Sequence, residues 1–306
     1  MGFYYLNLIG FEFVLIIYSL LYLIHFLLIS IYLYQNLTYK VKFSLKIYTH
    51  PIFKEIKTYS LFLILGAGSG VLITKLDTIM IEGLTNSQAF VGIYTIALAM
   101  ASIIEVPRRP LVKLSIPILA KKLKENKLGD VLAIYKKSAI NLLIVGSIIF
   151  LFIWLNIDLI FHIIPNGKVY AGGKFVVFFL GAAKLIDLAV GLNNEILQSS
   201  KYYRWNIFLM PLLAVVSIST NYYFIGSYGY LGAAIATLIS MIFFNLARTI
   251  IVYLKMNLNP FDLNYFKVIL LFPLPIAISL YVSSNNVYFN FLINGLAIFI
   301  TFILPI

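Results

Sequence analysis

Long apolar stretches alternate with short polar segments along this chain. A helix that crosses a membrane needs roughly 20 mostly apolar residues. Because open sheet edges cannot be satisfied in lipid, segments of this kind cross as helices. The pattern therefore predicts an all-α polytopic membrane helix bundle. The nine predicted spans are 11–34, 58–82, 88–106, 138–161, 173–193, 205–225, 229–254, 266–283 and 287–306.

Composition supports a membrane setting. The 306 residues are 62% hydrophobic and only 11% charged, whereas a soluble domain is roughly half apolar and a quarter charged. Cysteine is absent, which excludes disulfides and thiolate metal sites. The three histidines are far apart in sequence and show no ligand spacing. The sequence thus predicts neither a metal nor a cofactor.

Basic residues concentrate on alternate loops between the predicted spans. Loops on one side carry nineteen Lys and Arg, and loops on the other side carry one, Lys168. The positive-inside rule places the basic loops in the cytoplasm, with the C-terminus cytoplasmic and the N-terminus of this chain outside. These loops also account for the net charge of +12 without nucleic acid as a partner. Since a bacterial transporter usually starts inside, the parity favours a missing odd number of N-terminal spans; a true N-out protein is the alternative.

The loops predicted to lie outside are short, the longest being 162–172, and leave no room for an extracytoplasmic domain. None of them holds an acidic DxD pair, and the basic loop 107–137 has no GxxxxGK[ST] phosphate cradle. The sequence therefore favours a secondary transporter over an enzyme or an ATPase.

Lys75 and Asp77 lie inside an otherwise apolar run. A charge near the middle of a span costs about 2.5–3.5 kcal/mol on insertion scales and usually marks a paired or functional site. At positions i and i+2 the two side chains do not share a helix face. They are therefore predicted to be separate cavity contacts, Lys75 for an anion and Asp77 for a cation. The alternative is a structural ion pair with a neighbouring helix.

A second charged pair, Lys184 and Asp187, has the i, i+3 spacing that allows an ion pair within one helix. Asn193, Asn194 and Glu195 follow, and they either line a cavity mouth or cap the helix.

The basic loop 107–137 is amphipathic, with leucine and isoleucine at helical spacing between lysines. This pattern is typical of a helix that lies on anionic lipid. At its membrane boundary, Arg108 and Arg109 are candidate contacts for a diphosphate headgroup.

Four short motifs carry a resemblance to a known family: Asp77–Ile81 (DTIMI), Val91–Tyr94 (VGIY), Asn194–Lys201 (NEILQSSK) and Gly229–Thr237 (GYLGAAIAT). In their order and spacing the chain resembles the polysaccharide and O-antigen flippases of the multidrug/oligosaccharidyl-lipid/polysaccharide exporter superfamily. The resemblance covers about residues 55–260. One departure is Glu82, where the family often has Gly.

The resemblance implies a two-lobe transporter of about 12 to 14 spans around a central cavity. The span 58–82 would match the seventh helix, so about five N-terminal helices would be absent. Residues 1–57 would hold the last helix of the first lobe and a basic cytoplasmic loop. Residues 58–254 would form the six-helix transport lobe, and 255–306 two additional helices.

The resemblance also implies a function. The chain would move an undecaprenyl-diphosphate-linked oligosaccharide, an O-antigen or capsular or exopolysaccharide repeat unit, across the bacterial cytoplasmic membrane by alternating access. Its partners would be that lipid-linked oligosaccharide, membrane lipids, the missing N-terminal lobe as a separate chain, and other polysaccharide-assembly membrane proteins. The substrate-binding candidates are Lys75, Lys184, Arg108 and Arg109. The ion-coupling candidates are Asp77 and Asp187.

Three alternatives stay open. The chain could be a cation-coupled multidrug-type antiporter of the same superfamily, an integral-membrane enzyme of glycan assembly, or an inactive or split fragment.

Overall fold

A computed structural model describes residues 11–36, 53, 57, 75–282, 284 and 286–303. Within these ranges all regular secondary structure is helical, and no strand is present. Contacts divide the chain into two units, Met1–Leu61 and Phe62–Ile306. The predicted domain boundaries at 57 and 254 stay predictions.

The described helices are numbered in chain order. They are α1 (Phe11–Asn36), α2 (75–85), α3 (Gln88–Ser102), α4 (Arg108–Lys124), α5 (Leu128–Leu155), α6 (Ile157–Ile163), α7 (Gly167–Tyr170), α8 (Lys174–Ala189), α9 (Asn193–Ser199), α10 (Arg204–Met256), α11 (Leu263–Leu271), α12 (Pro273–Tyr281) and α13 (Val287–Ile298). Short 3₁₀ turns follow α3 and α7, at Ile103–Glu105 and Ala171–Gly173, and a π turn, Phe299–Ile303, follows α13.

Within the described ranges, six helical stretches are long and apolar enough to cross a membrane. They are Ile16–Asn36, Gln88–Glu105, Leu128–Leu155, Gly167–Ala189, Arg204–Met256 and Leu263–Tyr281. The prediction of an all-helical fold with several apolar helices of membrane-spanning length is confirmed for the described residues, but the count of nine spans is not. The predicted span 58–82 is described only from Lys75 onward, and the last apolar helix, Tyr288–Phe302, is shorter than a typical span.

One of the six stretches contains two of the predicted spans. Helix α10 runs for 53 residues, but Gly229 interrupts it with φ 57° and ψ −135°. Only glycine enters this left-handed conformation at little cost. The break separates a first half, 204–228, from a second half, 230–256, and it falls on the first residue of the predicted span 229–254, shortly after the predicted span 205–225 ends.

Asparagine ends or precedes several helices. Asn86, Asn126, Asn166 and Asn257 have φ between 50° and 57°, a left-handed conformation that asparagine tolerates better than most residues. Asn257 ends α10, and Asn126 separates α4 from α5. These asparagines allow the chain to leave one helix and change direction before the next helix begins.

Helix α8 is central to the second unit because it packs against α3, α5 and α10. Its glycine Gly181 lies against Phe150 of α5, where a larger side chain would have no room. Farther along the chain, the Tyr265 hydroxyl donates to the carbonyl of Ala189 (3.0 Å), and the Asn294 amide donates to that of Leu155 (2.8 Å). The C-terminal helices therefore pack onto the same bundle.

Candidate functional site

The first group of buried polar residues surrounds Asp77 on α2, and it is called the Asp77 site. The Asp77 carboxylate is only 8% exposed. Its Oδ2 accepts hydrogen bonds from the Tyr94 hydroxyl (2.6 Å) and the Thr237 hydroxyl (2.7 Å), while Oδ1 accepts from the Asn221 amide (2.8 Å). The three donors come from α3 and from both halves of α10.

The donors around Asp77 are all neutral. No Lys or Arg among the described residues forms an ion pair with this carboxylate. A buried carboxylate normally needs a charge partner or a proton in addition to hydrogen bonds. The amide oxygen of Asn221 is also buried without a hydrogen-bond partner in the described ranges. Carboxylate and amide oxygens are ligands for hard cations, so this arrangement suits the uptake of a proton or a small cation.

The second group, the charged cluster, comprises Glu105, Arg108, Lys184, Asp187, Glu195 and Arg248. At its centre, Arg108 bonds Asp187 through Nη1 (Nη1–Oδ2 2.5 Å) and Glu195 through Nη2 (Nη2–Oε1 3.2 Å). Burial disfavours the guanidinium charge, but Asp187 and Glu195 outweigh burial and raise the pKa of Arg108 above its ordinary value. Arg108, at the start of α4, is thereby tied to α8 and α9.

Lys184 forms a separate pair with Glu105, in the 3₁₀ turn after α3 (Nζ–Oε2 2.5 Å). The ion pair within α8 that the spacing of Lys184 and Asp187 allowed is therefore not formed, because each side chain bonds a partner on another segment. Asn194 also donates to the Glu195 carboxylate (3.3 Å) and accepts from Asn206 (3.2 Å).

Arg248, in the second half of α10, is the least satisfied member of the cluster. It is only 3% exposed, and its guanidinium lies 4.1 Å from the centre of the Phe244 ring. No carboxylate in the described ranges pairs with it, and its Nε has no hydrogen-bond partner there. Among the described residues, Arg248 is thus a buried cation that forms no ion pair and lies against an aromatic face.

The two groups lie at different depths of the same helices. Tyr94 and Glu105 are eleven positions apart along one continuous helical segment, and so are Thr237 and Arg248 on α10. At 1.5 Å per residue, eleven positions span about 16 Å. The second unit therefore has two distinct polar layers, and α3 and α10 contribute to both.

The six candidate residues lie in different surroundings in the structure. Asp77 belongs to the first group, and Arg108, Lys184 and Asp187 belong to the charged cluster. Lys75 and Arg109 are exposed, and within the described residues neither side chain has a hydrogen bond or ion pair. Lys75 and Asp77 thus point to different surroundings, as their spacing predicts.

Several members of the two groups are not among the predicted site residues. Asn221, Glu105 and Arg248 each stand in or at the end of an apolar helix, and that placement is the signal that could have identified them. Tyr94 and Thr237 belong only to the quoted motifs, and Glu195 is predicted either to line a cavity mouth or to cap a helix.

Comparison with models of protein families, with characterised proteins and with solved structures finds no match to this chain. Over the residues that the structure describes, the molecule is defined by its own features: it is helical, with six helical stretches able to cross a membrane and two polar layers. The resemblance to flippases rests on the four sequence motifs alone.

Proposed function

We propose that this chain is the transport part of a flippase in the bacterial cytoplasmic membrane. Its substrate is an undecaprenyl-diphosphate-linked oligosaccharide, and it moves the glycan headgroup between leaflets by alternating access. The basic loops and the C-terminus lie in the cytoplasm. The proposal combines the motif resemblance with the charges found inside the bundle.

The observation that carries the proposal is Arg248. A buried guanidinium without a carboxylate partner is costly in an apolar bundle, and charged groups at membrane depth usually mark a substrate or ion pathway. A diphosphate offers the oxygen acceptors that a guanidinium fork matches best. Arg248 therefore supports an anionic headgroup as the transported species.

The rest of the charged cluster suits a site that opens and closes. It contains three cations and three carboxylates, so its formal charges balance without a ligand. An arriving diphosphate competes with Asp187 and Glu195 for Arg108, and with Glu105 for Lys184. When these partners exchange, the ion pairs that hold α4, α8, α9 and the turn after α3 together are weakened. Alternating access needs contacts of this kind, which can switch between two arrangements.

A second candidate function is a cation-coupled antiporter, and the Asp77 site favours it. Asp77 carries one negative charge among neutral donors, with the unpaired Asn221 oxygen beside it. Binding of a cation or a proton there would compensate the charge. This function and the flippase are compatible if cation binding at Asp77 drives movement of the anion.

The test uses the purified chain in liposomes that contain a polyprenyl-diphosphate-linked N-acetylglucosamine with a fluorescent nitrobenzoxadiazole group on the sugar. Dithionite, which does not cross the bilayer, bleaches only the outward-facing fluorophores. We expect the chain to expose the inner-leaflet probe, and Arg248→Gln to slow that exposure by about tenfold or more, equivalent to about 1.4 kcal/mol.

Arg204→Gln is the matched control, because Arg204 begins the same helix but is exposed. It should flip the probe at the wild-type rate. Bleaching no faster than in protein-free liposomes would overturn the proposal. Transfer of the sugar to an acceptor lipid would establish the membrane enzyme instead.

A further inference from the structure

A cavity of about 330 Å³ lies where three segments of the second unit meet, apart from both polar layers. Its wall includes Lys124 at the end of α4, Lys201 in the connection after α9, and Lys255 in the last turn of α10. Ser199 and Ser200 also line it. Among the described residues, no carboxylate belongs to the wall, so three cations and two hydroxyl groups surround one concave space.

The carboxylates nearest in sequence are already occupied by other lysines. Glu125 pairs with Lys127 (2.8 Å), and Asp130 pairs with Lys122 (2.6 Å). None of the three cavity lysines has an ion pair with a described residue. The positive charge of the cavity is therefore not neutralised from within the described part of the chain.

Aromatic rings lie beneath two of these lysines. The Lys201 ammonium is 5.3 Å from the centre of the Tyr202 ring, and the Lys255 ammonium is 5.6 Å from that of Trp205. Cation–π contacts of this kind attract an ammonium group to the face of the ring. Two of the three charges are therefore partly positioned before any ligand arrives.

Isolated surface lysines are ordinarily just solvated, but these three differ in arrangement. They come from three segments distant in sequence, and they line one cavity whose remaining wall includes aliphatic side chains such as Leu123 and Met256. Tyrosine and tryptophan beside a basic cluster are typical of the membrane–water boundary. Lysine is a common ligand for phosphate as a point charge.

We propose that this cavity binds a phosphate group, carried either by the headgroup of an anionic phospholipid or by a soluble phosphate. Lys124, Lys201 and Lys255 supply the charge, and Ser199 offers a hydroxyl donor. The site does not depend on the flippase proposal, since it uses none of the residues of the Asp77 site or the charged cluster.

The test measures ligand-dependent thermal stabilisation of the full chain in detergent. The probes are short-chain phosphatidylglycerol, the corresponding diacylglycerol without phosphate, and inorganic phosphate. We expect phosphatidylglycerol to bind at about 0.15 M salt, where distant charges are screened. The triple variant Lys124→Gln, Lys201→Gln, Lys255→Gln should weaken its apparent affinity by about 10- to 100-fold, since each lysine near a charged lipid surface contributes on the order of a fivefold effect.

The matched control removes the same net charge from exposed lysines elsewhere, as Lys113→Gln, Lys121→Gln and Lys137→Gln. It should keep its affinity within about twofold, because diffuse surface charge is screened. Binding of inorganic phosphate as tightly as phosphatidylglycerol assigns the site to a soluble phosphate, and binding of phosphatidylglycerol alone assigns it to lipid. Equal losses in the two triple variants, or diacylglycerol binding as tightly as phosphatidylglycerol, would overturn the proposal.

Discussion

The Asp77 site and the charged cluster compensate the charges that they contain in opposite ways. Both bury charge inside an apolar bundle. The Asp77 site holds one carboxylate with three neutral donors, whereas the cluster balances three carboxylates against three cations, with Arg108 bonding two of the carboxylates. Hydrogen bonds from neutral groups leave a charge free to gain or lose a counter-ion, but ion pairs bind the helices to one another. The first site therefore suits exchange of a small ion, and the cluster suits control of helix positions.

The largest effect should follow from breaking the centre of the cluster. Arg108→Ala leaves the partly buried Asp187 and the buried Glu195 without their cation, so we expect the free energy of unfolding to fall by about 3–5 kcal/mol. The fluorescence of Trp154 and Trp205 during denaturant unfolding in micelles measures this change.

The adjacent Arg109 provides the control, since its side chain is exposed. Arg109→Ala should change the free energy of unfolding by no more than about 0.5 kcal/mol. Similar losses of unfolding free energy in the two variants would show that the ion pairs of Arg108 do not stabilise the fold.

A charge exchange sharpens the same comparison. Glu105→Lys and Lys184→Glu each place like charges together, and each should destabilise the chain. Combining them restores an ion pair of reversed direction, and we expect a favourable interaction energy of about 1–3 kcal/mol in the double-mutant cycle. Additive losses in the cycle would mean that the contact between these side chains is energetically unimportant.

These pairings also mark the limit of what the sequence could predict. The apolar runs predicted most helices, and two of the charges inside them, Asp77 and Lys184, lie among polar groups in the structure, whereas Lys75 is exposed. The partners could not be predicted, because Lys184 and Glu105 are 79 positions apart, and Asp77 lies 144 and 160 positions from Asn221 and Thr237. Helical spacing constrains neighbours within a few turns, so it favoured a pair within α8 that the fold replaces with contacts between segments.

The Asp77 site should respond differently from the cluster. Asp77→Asn keeps the shape and hydroxyl contacts, and the Asn221 amide can turn so that its unpaired oxygen accepts a hydrogen bond. We therefore expect the free energy of unfolding to change by less than about 1.5 kcal/mol.

A cation that binds the folded state raises its stability with concentration. The melting temperature of the wild type should therefore rise when sodium replaces choline or when protons are added, and Asp77→Asn should abolish that rise. A variant that retains the full response would place the cation elsewhere.

The smallest effect should come from Lys75→Ala, because the Lys75 side chain is exposed and without a partner in the described residues. We expect a change of no more than about 0.5 kcal/mol in the free energy of unfolding. If Lys75 contacts the anionic headgroup, the variant should still lower the flipping rate of the liposome probe. A wild-type flipping rate would remove Lys75 from the substrate candidates.

We propose above all that the bundle conducts an anionic headgroup past the charged cluster. The most direct measurement compares the flipping rates of two fluorescent lipids in the same liposomes, one with N-acetylglucosamine linked through a diphosphate and one with the same sugar on uncharged diacylglycerol. We predict that the diphosphate-linked lipid flips at least about tenfold faster, a preference of about 1.4 kcal/mol, and that Arg248→Gln removes the difference. Equal rates for the two lipids in the wild type would contradict the claim.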